Sequence, residues 1–98
     1  MTAPIEAVFR AERARVLAST IRVTNGDFDL AEEMVQEAFA AAAAAWATGL
    51  PDEPRGWLVQ VARNKAIDAI RRRVRLRAIV AAEVADEPTV TVDAAAVG

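Results

Sequence analysis

An all-α fold, three packed helices followed by a linker-like C-terminal tail, is what this 98-residue chain predicts. Three observations lead there. Alanine is heavily used and aromatics make up only 5% of the residues, a composition that suits helices packed closely against one another. Apolar residues recur with the 3.6-residue period of an amphipathic helix in three stretches. Those stretches are separated by two stop signals, Thr24-Asn25-Gly26 and Gly49-Leu50-Pro51.

The first helix is predicted from about Pro4 to Val23. Pro4 suits a first-turn position, where its missing N–H is not needed. Asn25 or Gly26 can take the left-handed conformation that ends a helix. The second helix is predicted to start near Leu30, with Asp29 as N-cap and Glu32 completing a capping-box-like pair. It should end near Trp46 to Thr48, before the Gly-Leu-Pro break. The third is predicted from Pro54 to about Ile79, preceded by Asp52 or Glu53. One helical domain over 1–79 and a linker or flexible tail over 80–98 follow from this reading. A strand at Thr89–Val92 would have no visible partner.

Size and composition exclude several functions. A chain this short makes one domain. It has no Cys, hence no disulfide framework, and no His, the commonest metal ligand and general base. The composition therefore argues against zinc chemistry. No apolar run approaches the ~20 residues that span a membrane, and the N-terminus lacks signal-peptide character. A soluble cytoplasmic protein is the expectation. Glu33 and Glu37 are a carboxylate pair, but no His, Cys or glycine-rich loop converges on them, so no catalytic residue, metal or cofactor is assigned.

Charge is distributed unevenly. The net charge is −2, yet the segment 54–77 holds eight basic residues against one acid, a local +7. Residues 1–53 carry −5 and residues 78–98 carry −4. Phosphate affinity follows local charge, so the basic segment matters more than the sum. At 100° per residue, Leu58, Val59, Ala62, Ala66, Ala69, Ile70 and Val74 form the core side of the third helix, with Ile67 at its margin. The opposite side carries Trp57, Gln60, Asn64, Lys65, Asp68, Arg71, Arg72 and Arg75, with Val61 among them. Basic groups neutralise phosphates, amides read base edges, and an aromatic ring stacks on an unpaired base. A solvated charged face, with Asp68 pairing to Arg71 and Arg72, is the plain alternative. Arg63, on the flank of the apolar side, is expected to pair with an acid of the second helix.

On the second helix, Leu30, Ala31, Met34, Val35, Ala38, Phe39, Ala42 and Trp46 form the core side. Its exposed side carries Glu32, Glu33, Gln36 and Glu37, then Ala40, Ala43 and Ala44. Carboxylates beside small residues suit the approach of a basic helix. Acids in the first turns also simply favour the helix dipole.

Two of these segments together resemble a known family. DLAEEMVQEAF at Asp29–Phe39, followed by GWLVQVARNKAIDAIRRR at Gly56–Arg73, is similar to region 2 of bacterial RNA polymerase sigma factors, of the extracytoplasmic-function (ECF) group. The resemblance covers about Ile5 to Arg77. It implies the all-helical sigma region 2 fold and a role in transcription initiation. It implies that the second helix docks on the coiled coil of the largest core polymerase subunit, through Glu33, Gln36 and Glu37 with Asp29 and Glu32 nearby. It implies that the loop Ala47 to Glu53 and the start of the third helix capture the −10 promoter element, with a base flipped from the non-template strand. Asn64, Lys65, Arg71, Arg72 and Arg75 would then contact the DNA, with Gln60 on the same stripe and Trp57 near the melted strand.

The chain departs from the family pattern in three places. The loop ATGLPDEP is short and proline-rich, and it carries Asp52 and Glu53, which repel phosphate unless they cap the helix. The family's helix-turn-helix domain that reads the −35 element has no counterpart within these 98 residues, and the expectation is an excised or truncated domain, or one that acts differently from a full sigma factor. An anti-sigma factor or a fused C-terminal regulatory domain are further partners that the resemblance allows. Two other functions compete. One is a small helical module held by an anti-sigma-type partner without DNA recognition of its own. The other, an ordinary helix-turn-helix binder, fits poorly, because the last helix is long and 47–53 is not a tight turn between short helices.

Overall fold

The computed structural model describes residues 3–86. It contains three α-helices, α1 (Ala3–Val23), α2 (Phe28–Ala45) and α3 (Pro54–Asp86), with a 3₁₀ turn at Trp46–Thr48 after α2. Each helix packs on the other two.

α1 ends as its sequence predicts. Asn25 takes the left-handed conformation (φ 57°), and the amides of Asn25 and Gly26 donate back to Arg22 and Ile21 at 3.2 and 2.9 Å. This is the Schellman arrangement, which satisfies carbonyls the helix leaves free. α2 begins two residues earlier than predicted. Its N-cap is Asp27, not Asp29, and the Asp27 carboxylate accepts from Leu30 N–H at 3.1 Å. Asp29 instead lies in the first turn, beside the positive end of the helix dipole. The turn geometry decides this: the chain leaves Gly26 in time for Asp27 to be the last non-helical residue. Gly49, with φ 151°, closes the 3₁₀ turn in a conformation that side-chain-bearing residues rarely adopt.

α3 is longer than expected. Its 33 residues continue to Asp86, a length of about 50 Å. The predicted boundary at Ile79 therefore falls inside the helix, because Ala78 to Ala85 is rich in Ala and has no breaker before Pro88. The linker-like tail was expected over 80–98; residues 80–86 belong to α3 instead, and 87–98, with the strand considered at Thr89–Val92, lie outside the described residues.

The core joins Val16 of α1, Val35, Ala38 and Ala42 of α2, Trp46, and Leu58 and Ala62 of α3. A second cluster of Leu30, Met34, Ala66 and Ala69 closes the far end of the α2–α3 contact. Small residues at the contact let the helices approach closely. Aromatic rings span all three: Phe39 stacks on Phe9 at 4.6 Å, Phe9 meets Trp46 at 5.9 Å, and Trp46 meets Trp57 edge-on at 5.1 Å.

Four side chains expected in the core differ from the sequence reading; two of them, Val59 and Ile70, are half-buried. Phe39 is half-buried, covered on one side by Phe9. Val74 is exposed, because α1 and α2 have both ended before α3 reaches it.

Candidate nucleic-acid interface

The candidate interface is the outer surface of α3. Gln60, Asn64, Asp68, Arg71 and Arg75 are all exposed along one side, as the 100° spacing requires. Gln60 Nε2 donates to Asn64 Oδ1 at 3.0 Å, one turn apart. That bond links the two exposed amides and leaves the Asn64 NH₂ free to donate and the Gln60 carbonyl oxygen free to accept. Arg71 and Arg75 continue the row about two and three turns beyond Asn64, and neither makes an ion pair among the described residues.

The remaining members of the predicted stripe are drawn toward α2. Trp57 is half-buried against Trp46, so only part of its ring remains available. Val61 is half-buried in the same region. Lys65 is half-buried and its Nζ lies 3.8 Å from a Glu37 carboxylate oxygen. Arg72 lines a groove of about 340 Å³ between α2 and α3, with Leu30, Met34 and Ala69, and Glu33 and Glu37 across from it. The stripe is flat on a wheel, but the packed helix covers one of its edges. Arg63 does not pair with an acid of α2: it is exposed, and Lys65 takes the acid instead, because Lys65 lies on the flank that faces α2.

The acidic face of α2 is similarly divided. Asp29, Glu33 and Gln36 stand exposed on its outer ridge, which continues as Ala40, Ala43 and Ala44. Glu32 leans to the α1 side and is bonded to Arg13 at 2.7 Å. Glu37 leans to the α3 side toward Lys65. The five predicted acidic-face residues therefore form a central ridge with one ion-paired flank on each side. The two candidate surfaces share an edge at Lys65–Glu37.

Sequence periodicity missed two ion pairs that tie α3 to the rest of the fold. Arg55 at the start of α3 donates to Glu12 of α1 at 2.6 Å. Arg73 donates to Asp27 at 3.1 Å. Asp27 is therefore both the cap of α2 and the anchor of α3. Its carboxyl is held below the ordinary value by the Leu30 N–H first, then by the Arg73 hydrogen bond and charge. An Asp three residues before Leu30 was the one available signal for the cap, and nothing local pointed to Arg73.

The loop into α3 is exposed at Gly49, Leu50, Asp52 and Glu53, with Leu50 left 44% open to solvent. Neither acid caps α3 with its side chain; Glu53 instead supplies the backbone carbonyl that accepts from Trp57 N–H at 2.9 Å. Among the described residues no cluster of acids could hold a metal ion, and no helix is long and apolar enough to cross a membrane.

Comparison with known proteins matches this geometry to a family. The Sigma-70 region 2 model matches residues 8–76, which include both candidate surfaces. The chain is 38% identical over 96 residues to the probable ECF RNA polymerase sigma factor SigI of Mycobacterium tuberculosis, in strains CDC 1551 / Oshkosh and ATCC 25618 / H37Rv. That alignment takes in 94% of this chain and 32% of the relative, so the chain spans about a third of the length of these relatives. It is also 46% identical over 54 residues to the uncharacterized protein R00370 of Rhizobium meliloti strain 1021, covering 54% of this chain and 13% of that protein. No solved structure matches. With the family model spanning all three helices and the outward amides and arginines of α3 inside the match, the chain belongs to the sigma-70 region 2 family.

Proposed function

We propose that this chain serves transcription initiation as the part of an ECF-type sigma factor that binds core RNA polymerase through α2 and the −10 promoter element through α3. The observation that carries the reading is the exposed row Gln60–Asn64–Arg71–Arg75, set beside an acidic ridge on the neighbouring helix in a member of this family. The row offers base-reading amides at one end and phosphate-binding guanidinium groups at the other. Lys65 and Arg72, at the α2 edge, would support the DNA backbone from the side, and the open part of Trp57 would meet an unpaired base. The loop Ala47–Glu53, with Leu50 exposed, would hold a base flipped from the non-template strand. This is binding coupled to strand separation: pairing and stacking lost in the duplex are offset by contacts to the unpaired strand, without covalent chemistry.

On α2, Asp29, Glu33 and Gln36 would make the central contacts to the coiled coil of the largest polymerase subunit, with Glu32 and Glu37 at the sides. An acidic ridge ending in alanines admits a basic helix closely. The acidic face alone also suits an anti-sigma-type partner, but that reading gives the outward row on α3 no role.

The test is a salt titration of binding to −10 single-stranded DNA, beside co-purification with core polymerase. Arg71→Ala with Arg75→Ala should reduce the slope of log K against log salt by about 1.4, the loss of two phosphate contacts on a single strand. Glu33→Lys with Gln36→Ala should weaken polymerase capture while the helical signal is unchanged. An unaltered salt slope removes α3 from the DNA reading, and unaltered capture removes α2 from the polymerase reading.

A further inference from the structure

Beyond the three-helix contact, α3 presents a surface that the other described residues leave uncovered. Every residue from Arg71 to Ala85 is exposed. From Ala78 to Ala85 the helix carries a single charge, Glu83. A helix apolar on nearly all sides is normally buried. Leu76, Ile79 and Val80 are 60%, 51% and 49% exposed, and Arg72, Arg75, Leu76 and Ile79 border one shallow apolar depression. The spacing Arg72, Leu76, Ile79, Glu83 alternates four and three residues, which places them along one seam of the kind that meets another helix.

We propose that this protruding segment pairs with the same segment of a second copy, antiparallel, about a two-fold axis at Ile79. The charge order selects this occupant. Arg72 and Arg75 precede Ile79, and Glu83 follows it at the same distance as Arg75 precedes it. A two-fold axis at Ile79 therefore sets Arg75 of each copy opposite Glu83 of the other and Leu76 opposite Ala82, with Ile79 against Ile79. A parallel pair would set Arg75 against Arg75. A closed two-fold interface requires a self-complementary patch, and the face that carries Arg75, Leu76, Ile79, Ala82 and Glu83 is one. The contact is short, so it falls at the small end of specific interfaces and gives a weak, concentration-dependent dimer. Arg72 and Arg75 also belong to the surface proposed above for DNA, so on that reading the paired and DNA-bound states exclude one another.

The experiment is sedimentation equilibrium of the 98-residue chain without nucleic acid, from micromolar to near-millimolar concentration. Its failure therefore leaves the DNA reading standing. A monomer–dimer equilibrium is expected. Ile79→Glu, which sets two carboxylates face to face at the axis, should abolish it. Arg75→Glu and Glu83→Arg should each weaken it about three- to tenfold, and the double exchange should restore it. All three positions are exposed, so circular dichroism should show each variant folded. A chain monomeric throughout the range, or a double exchange no tighter than the single ones, overturns the proposal.

Discussion

The two halves of α3 obey one periodicity and meet opposite fates. In the first half, Leu58, Ala62 and Ala66 are fully buried and Ala69 nearly so, one turn after another. In the second half, Val74, Leu76, Ile79, Val80 and Val84 are all about half exposed. Residue type does not separate them: the exposed positions of the second half carry larger side chains than the three alanines buried in the first. The difference is the neighbours. α1 ends at Val23 and α2 starts at Phe28, and the turn between them meets α3 at Arg73 through Asp27. Past that ion pair the described residues supply no second layer. Apolar spacing says which side of a helix would be buried, while the lengths of the neighbouring helices say whether it is.

That contrast can be broken by substitution. Leu58→Ala should have the largest effect: Leu58 is fully buried among α1 and α2, and its truncation should cost about 2–5 kcal/mol in chemical denaturation. A loss below about 1 kcal/mol would mean that the first half of α3 is not the packed half. At the junction, Asp27→Asn keeps an N-cap residue but removes the charge that holds Arg73. Asp27 has a lowered folded-state pKa, so its carboxylate stabilises the fold fully above the ordinary value of 3.8 and loses that contribution as pH falls through the lowered value. The variant should be less stable than wild type at neutral pH, and the gap should close in acid. A gap independent of pH would show that the pairing with Arg73 does not contribute. The smallest effect belongs to Val84→Ala, made at a concentration where the chain is monomeric. It should change stability by no more than about 0.5 kcal/mol, as expected for a surface position. A larger loss would place Val84 against something in its own chain.

The candidate site was partly legible in the same way as the core. The outward positions of Gln60, Asn64, Arg71 and Arg75 follow from 100° per residue and an apolar side that had to face inward. The same rule misplaced Trp57 and Lys65, because it assumes that half of a helix is free. α3 packs against two helices, and the one at its flank covers the edge of the stripe. Arg63 and Lys65 show the limit most directly. Both are basic residues near the helix margins, and only Lys65 points to the side where Glu37 waits. Nothing within α3 states which margin will face α2. The cap of α2 was misread by two residues, since Asp27 and Asp29 are chemically equal candidates until the turn after α1 fixes where the helix enters.

Sequence by itself determined the three-helix architecture, the stop at Asn25-Gly26, the apolar sides that build the core, and the separation of basic from acidic segments. These are local properties: propensity, capping chemistry and helical period act within a few residues. Tertiary structure alone decided which edge of the basic stripe is covered, which acid meets which base, and where α3 leaves its neighbours. Those outcomes depend on distances between segments as far apart as Asp27 and Arg73, and no local period encodes the angle at which two helices cross.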